Sequence, residues 1–267
     1  MFSQVYKKVT KLMGNQFELT VVSDSQAWAL ERIEEGIREI RRIEQVFSTY
    51  REDSETSRIN QQAGIAPVAV SEEMFGLIER SIRISEITQG AFDITYGGID
   101  KRLWNFDQQM TELPSPRQAR RMVRLINYKN ILLNREARTV MLKEKGMRIG
   151  FGGIGKGYAA EMAKQLMKQN GVESGIVNAS GDLAAWGTQP SGEPWTVGIV
   201  HPDLRNQPFS YLHIKDSAVA TSGNYEKLVM IGGKKYSHTI DPKTGLPVTG
   251  IKSVTIFSPN AEICDAL

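Results

Sequence analysis

Apolar residues recur at spacings of three and four over residues 26–47, at Leu30, Ile33, Ile37, Ile40, Ile43 and Phe47, with charged residues between them. That period predicts an amphipathic helix with one buried stripe. Ser23, Asp24 and Ser25 stand ahead of it as candidate caps. The same reasoning predicts helices over 55–61 and 72–88, the second capped by Ser71 with Met74, Leu77, Ile78, Ile82 and Ile84 on its apolar face. Ser115-Pro116 opens another, with proline at the first helical position. A further periodic segment (Ala159, Met162, Ala163, Leu166, Met167) ends at Asn170-Gly171, a helix-stop signal.

Between the helices, short apolar runs predict strands. Residues 5–9 and 17–22 flank the turn Met13-Gly14-Asn15, and residues 131–133 and 139–142 form a hairpin. Strands are expected at 175–178, 183–186, 196–200 and 251–257. Residues 228–231 and 235–238 flank Gly232-Gly233, a second hairpin signal. Hairpins mixed with helices predict an α+β fold with mixed or antiparallel sheets and packed helices, not a strictly alternating parallel sheet. A chain of 267 residues can fill one large domain or two lobes.

Composition changes this picture little. The chain is 40% hydrophobic and 24% charged with a net charge of +3, ordinary values for a globular protein. The densest basic stretches, Arg38 to Arg42 and Arg117 to Arg124, fall on predicted amphipathic helices and read as solvated faces, so nucleic acid is not expected as a partner. The single cysteine, Cys264, excludes an internal disulfide and reads as a small buried hydrophobe. No apolar run reaches the roughly 18 residues a membrane helix needs. The N-terminus lacks a signal-peptide core, so the chain is either cytoplasmic or has lost a leader.

The chemistry concentrates in Gly150-Phe-Gly-Gly-Ile-Gly-Lys156-Gly-Tyr158. Glycines let the backbone fold closely around an anion, and the helix expected after them adds a positive dipole end. Gly150-x-Gly152-x-x-Gly155 spells the dinucleotide fingerprint, with Glu173 near the ribose-reading position, but that motif needs a βαβ setting. The run also begins a P-loop, yet Gly157 stands where a hydroxyl would hold Mg²⁺. A turn required only for close helix packing is the remaining reading.

Other polar clusters stay open on residue chemistry alone. Gly90-Ala91-Phe92-Asp93 follows a helix, and Asp93 reads as a cap or a ligand contact. Asn178-Ala-Ser-Gly-Asp182 joins two strands, as a site or a plain turn would. His238 ends a strand and leads into Asp241-Pro-Lys-Thr-Gly245, which suits either proton transfer or a structural histidine. Glu262 and Asp265 could hold Mg²⁺ or serve a helix N-terminus.

In order along nearly the whole chain, these segments resemble the ApbE family of flavin transferases. Met13-Gly14 is similar to the family's early Met-Gly. Phe47-Ser-Thr-Tyr50 with Ser54-Glu-Thr-Ser-Arg-Ile-Asn60 looks like its Phe-Ser-x-Tyr and Ser-Glu-x-Ser-Arg-Ile-Asn block. Gly90-Ala-Phe-Asp93, Gly152-Gly-Ile-Gly-Lys156-Gly-Tyr158, Asn178 to Asp182, Ala218 to Gly223, Tyr236-Ser-His238 and Asp241 to Gly245 complete the resemblance.

The resemblance implies one ApbE-like catalytic domain over 1–267. It implies an enzyme that uses FAD and Mg²⁺ to place FMN on a Thr or Ser hydroxyl of a target protein, releasing AMP. By resemblance, Met13, Tyr50, Ala91, Phe92 and Asp93 contact FAD, and Lys156 sits near the pyrophosphate. Gly153 and Asp265 bind Mg²⁺, and His238 is the base. The implied partner is a flavoprotein subunit of a redox complex bearing the acceptor hydroxyl. The implied location is the periplasm, with a lipid anchor on a removed leader. The same site with water as acceptor would hydrolyse FAD, a site without turnover would store flavin, and the glycine fingerprint leaves a nicotinamide oxidoreductase open.

Two departures stand out. The family commonly carries Asp where this chain has Gly150. It also places a Thr four residues after the metal Asp, a position beyond Leu267, so a truncated C-terminus is expected.

Overall fold

The computed structural model describes residues 3–99, 111–201, 204, 207–223, 228–237 and 239–267. In chain order the elements are β1 (Gln4–Leu12), β2 (Asn15–Ser23), α1 (Gln26–Phe47), α2 (Glu55–Gln61), β3 (Val68–Ala69), α3 (Glu72–Ile87), α4 (Pro116–Met122), β4 (Ile131–Asn134) and β5 (Thr139–Leu142). After them come α5 (Gly155–Gln169), β6 (Gly175–Ala179), β7 (Asp182–Trp186), β8 (Trp195–Val200), β9 (Pro208–Ile214), β10 (Ser217–Gly223), β11 (Leu228–Ile231), β12 (Lys234–Ser237), β13 (Ser253–Ser258) and α6 (Ala261–Ala266). The chain divides into two compact units. One comprises Met1–Gln45, Gly152–Ser222 and Ser253–Leu267, and the other Val46–Phe151 and Gly223–Lys252.

The first unit is built on a six-stranded sheet in the order β1-β2-β6-β7-β10-β13. Strands β2, β6, β7 and β10 pair antiparallel. β7 is buried along its whole length because both faces of the sheet are covered. Successive strand side chains point to opposite faces. Leu183 and Ala185 therefore pack with Trp195, Ile214 and Val219 on one face, while Asp182, Ala184 and Trp186 turn to the other.

The predicted stripe of α1 is buried at Ile33, Ile37, Ile40, Ile43 and Phe47. Leu30 is 38% exposed, and Ala29 takes its place in the core. Gly36 lets the helix come close to its neighbours, since a Cβ there would lie 2.7 Å from Leu19 Cδ2 and 2.9 Å from Met167 Sδ.

Topology removes the nicotinamide reading. The fingerprint needs a parallel strand on each side of its helix. Here α5 leads into β6, whose sheet partners β2 and β7 both run antiparallel to it, and the preceding strand β5 belongs to a different sheet.

The second unit holds the three-stranded sheet β3-β5-β4 and the hairpin β11-β12. Its core includes Ile59, Met74, Leu77, Ile78, Val140 and Leu142. Helix ends follow the expected signals. Ser71 caps α3, and Ser115 forms a capping box with Gln118 ahead of Pro116; Ser54, which the sequence does not mark, caps α2.

Met13 and Gly14 form the two-residue loop between β1 and β2, and both have positive φ, 50° and 73°. That pairing is a type I′ hairpin, which favours Asn or Gly at its first position. Methionine there is strained. Met13→Asn is expected to raise stability by about 1 kcal/mol, seen as a higher midpoint in thermal melting.

Candidate functional site

The glycine run is part loop and part helix. Helix α5 begins at Gly155, so Lys156 lies in its first turn, and the N-cap residue Ile154 offers no side-chain cap. A lysine there opposes the helix dipole. The structure compensates it from two directions. Lys156 Nζ bonds the Asp182 carboxylate and lies 3.2 Å from Asp265 Oδ1. Both carboxylates are buried, with side-chain exposures of 9% and 6%. Burial by itself pulls the Lys156 ammonium down, but the charges of Asp265 and Asp182 outweigh it, and its pKa is pushed up to about 12.

Asp265 also does the work of the missing cap. Its Oδ2 accepts the Gly157 N–H at 2.8 Å. The favour is returned further along α5, where Glu161 Oε2 accepts the Ala261 N–H at the start of α6, at 3.1 Å. Each helix supplies an acid to the other's N-terminus. Gly157 makes the approach possible, because a Cβ there would lie 2.2 Å from the Ala261 carbonyl oxygen. Cys264 on α6 is buried with its thiol against the Ala218 carbonyl and Ser258 Oγ, and burial raises its pKa.

Strand register adds the hairpin loops. Phe17 pairs with Ala179, so the Met13-Gly14 turn and the Ser180-Gly181 turn lie at one end of the sheet. Asp182 starts β7 at that end. Lys156 and Asp265 meet Asp182 there, and the Met13 turn lies at the same end of the sheet. Gly153 precedes α5 and is half-buried.

In the second unit Tyr50 is 91% exposed. Its loop is pinned beneath, where Ser54 Oγ donates to the Ser48 carbonyl and Ser57 Oγ donates to the Arg51 carbonyl, both at 2.6 Å. Ala91 is exposed and Phe92 half-buried. Asp93 is buried and already engaged. It accepts from Thr95 N and Oγ1 at 2.8 and 2.6 Å and from Tyr128 N at 2.8 Å. Burial raises its pKa, and these hydrogen bonds oppose the rise. Asn60 acts as a surrogate strand, exchanging bonds of 3.0 and 2.7 Å with the Ile149 backbone just before the glycine run. At Gly150 a Cβ would meet Tyr96 Oη at 3.1 Å and Thr49 Cγ2 at 3.4 Å, so these side chains crowd the place of the family's Asp. His238 lies outside the described residues.

A family model for the ApbE family matches residues 13–267. The chain belongs to the ApbE family. It is 34% identical over 229 residues to a protein of Escherichia coli (strain K12) named FAD:protein FMN transferase, covering 84% of this chain. The chain spans 65% of the length of that relative. A crystal structure of the ApbE protein from Thermotoga maritima superposes with a TM-score of 0.89 at 32% identity, covering 98% of this chain and 84% of that one. The Pseudomonas stutzeri flavinyl transferase ApbE gives 0.86 at 25% identity, covering 100% and 83%. The α+β architecture is therefore that of solved ApbE proteins.

The sequence places Asn60 and Asp182 inside recognisable motifs without giving either a role, and it leaves Glu161 unmarked. Asp182 sat in a turn-rich motif where nothing in the spacing pointed to Lys156. Among the described residues no group of three or more His, Cys, Asp or Glu could hold a metal. Mg²⁺ commonly takes one or two carboxylates and completes its shell with substrate phosphates and water. Asp265 offers hard-oxygen donors of that kind, and here its two oxygens face the Lys156 ammonium and the Gly157 N–H.

Two outcomes follow from this geometry. Gly157→Ala forces a methyl into the α5–α6 contact and should cost about 1–3 kcal/mol or more, lowering the thermal midpoint. The raised Lys156 pKa gives alkaline sensitivity. Its stabilisation is fully present below the ordinary lysine value of 10.5 and is lost as pH rises through about 12. Melting across that interval should show a fall that Lys156→Met lacks.

Proposed function

We propose that the chain transfers FMN from FAD to a Thr or Ser hydroxyl of a target protein, with Mg²⁺ as metal and AMP as the second product. The observation that carries this reading is Lys156, a cation held by buried carboxylates in the first turn of a glycine-opened helix, in a chain related to FAD:protein FMN transferases. A lysine kept against the helix dipole suits a diphosphate, which the helix end and the ammonium attract together.

The acceptor oxygen forms a bond to the FMN phosphorus, and the bond from that phosphorus to the bridging oxygen breaks. The electron pair leaves on the AMP phosphate. A neutral hydroxyl is a weak nucleophile, so its proton goes to a base, the role assigned to His238. Lys156 offsets the charge gathering on the leaving phosphate. Asp265 and the Gly153 carbonyl would hold Mg²⁺, which when bound neutralises phosphate oxygens.

Met13, Tyr50 and the Ala91-Phe92-Asp93 turn are assigned to FAD. The exposed Tyr50 ring offers a stacking face. Asp93 contributes through the turn it braces, since its oxygens already accept from Thr95 and Tyr128. The partner would be a flavoprotein subunit of a redox complex, and the setting periplasmic with a lipid anchor. Among the described residues no helix is long and apolar enough to cross a membrane.

Incubation with FAD, Mg²⁺ and a peptide carrying an acceptor Thr tests the reading. The expected result is a peptide heavier by FMN, with matching AMP. AMP beside an unmodified peptide means hydrolysis, and bound FAD without AMP means storage. His238→Ala should keep FAD affinity and lower transfer by about 10²–10⁴.

A further inference from the structure

We infer that Asp182 is a positioning residue for this reaction: it aims the Lys156 ammonium at the diphosphate and keeps it there when Asp265 changes partner. The inference rests on the function proposed above.

The two acids that share the ammonium stand on different supports. Asp182 opens β7, a strand bonded to β6 on one side and β10 on the other. Its side chain faces the helix-covered side of the sheet, so its place is set by the sheet backbone. Asp265 sits on α6, outside the sheet, and its second oxygen is bound to Gly157 N–H.

In the proposed function Asp265 is the acid assigned to the metal, so it is the one that would turn away from the ammonium. Lysine carries its charge on a flexible four-carbon stem. With Asp265 drawn away, Asp182 is the carboxylate left to fix the ammonium. Without Asp182, Lys156 would follow Asp265 or swing out, and the diphosphate would lose a directed donor.

A double-mutant cycle read by FAD affinity in the presence of Mg²⁺, using calorimetry or flavin fluorescence, tests this. Lys156→Met should weaken FAD binding about 10- to 100-fold, the scale of a hydrogen bond to a charged group. Asp182→Asn should weaken it about 10-fold in the native background and less than about 2-fold beside Lys156→Met, because a residue acting through another has nothing left to lose. Equal losses in both backgrounds, or none in the native one, would overturn the assignment.

Asp182→Glu keeps the charge but displaces the ammonium by one methylene. It should also weaken FAD, and native affinity in this variant would refute positioning. Thermal melts accompany each variant. If neither Asp182 variant folds, the residue is structural and the inference fails. If the native chain does not bind FAD, the proposed function falls and this inference with it. FAD binding with additive losses removes only the role of Asp182.

Discussion

The first unit depends on the contact between α5 and α6 at Gly157. Removing one side chain lets two helices approach closely enough for each to supply an acid to the other's first turn, Asp265 to Gly157 and Glu161 to Ala261. An uncapped helix start leaves backbone donors without partners. α5 lacks a side-chain cap of its own, so the pairing of the two helices meets a requirement that the local sequence leaves open. The same contact delivers Asp265 to Lys156.

Under the proposed function the Lys156 cluster serves as a site more than as a stabilising device. Buried ion pairs add little net stability, because desolvation consumes most of the Coulomb gain. A lysine in a first turn is also unfavourable to the dipole. Retaining it there with two acids is poor economy for a fold and good preparation for a phosphate, since a fixed charge costs no reorganisation when a substrate arrives.

The second unit spends its polar side chains on bracing. Ser54, Ser57, Asn60 and Asp93 each satisfy backbone groups nearby, and the exposed residues Tyr50 and Ala91 stand on the loops so held. Much of the motif content around Tyr50 and Phe92 is therefore support. The resemblance named the segments, and the hydrogen bonds separate those that hold the backbone from those that present a side chain.

Periodicity alone determined the α1 and α3 helices, the 131–142 hairpin and the α+β class, because burying an apolar face on a regular element repeats at a fixed interval. It also marked Lys156 by the glycines around it. Strand β10 escaped notice because Ala218, Ala220 and Ser222 are too small to make a pattern. β9 gives no apolar pattern because most of its side chains face solvent. Local order could not reveal that Asp182 and Asp265 converge on one ammonium, 26 and 109 positions from it. That meeting depends on which strand lies beside which and on how closely two helices can pass, and only the folded chain decides both.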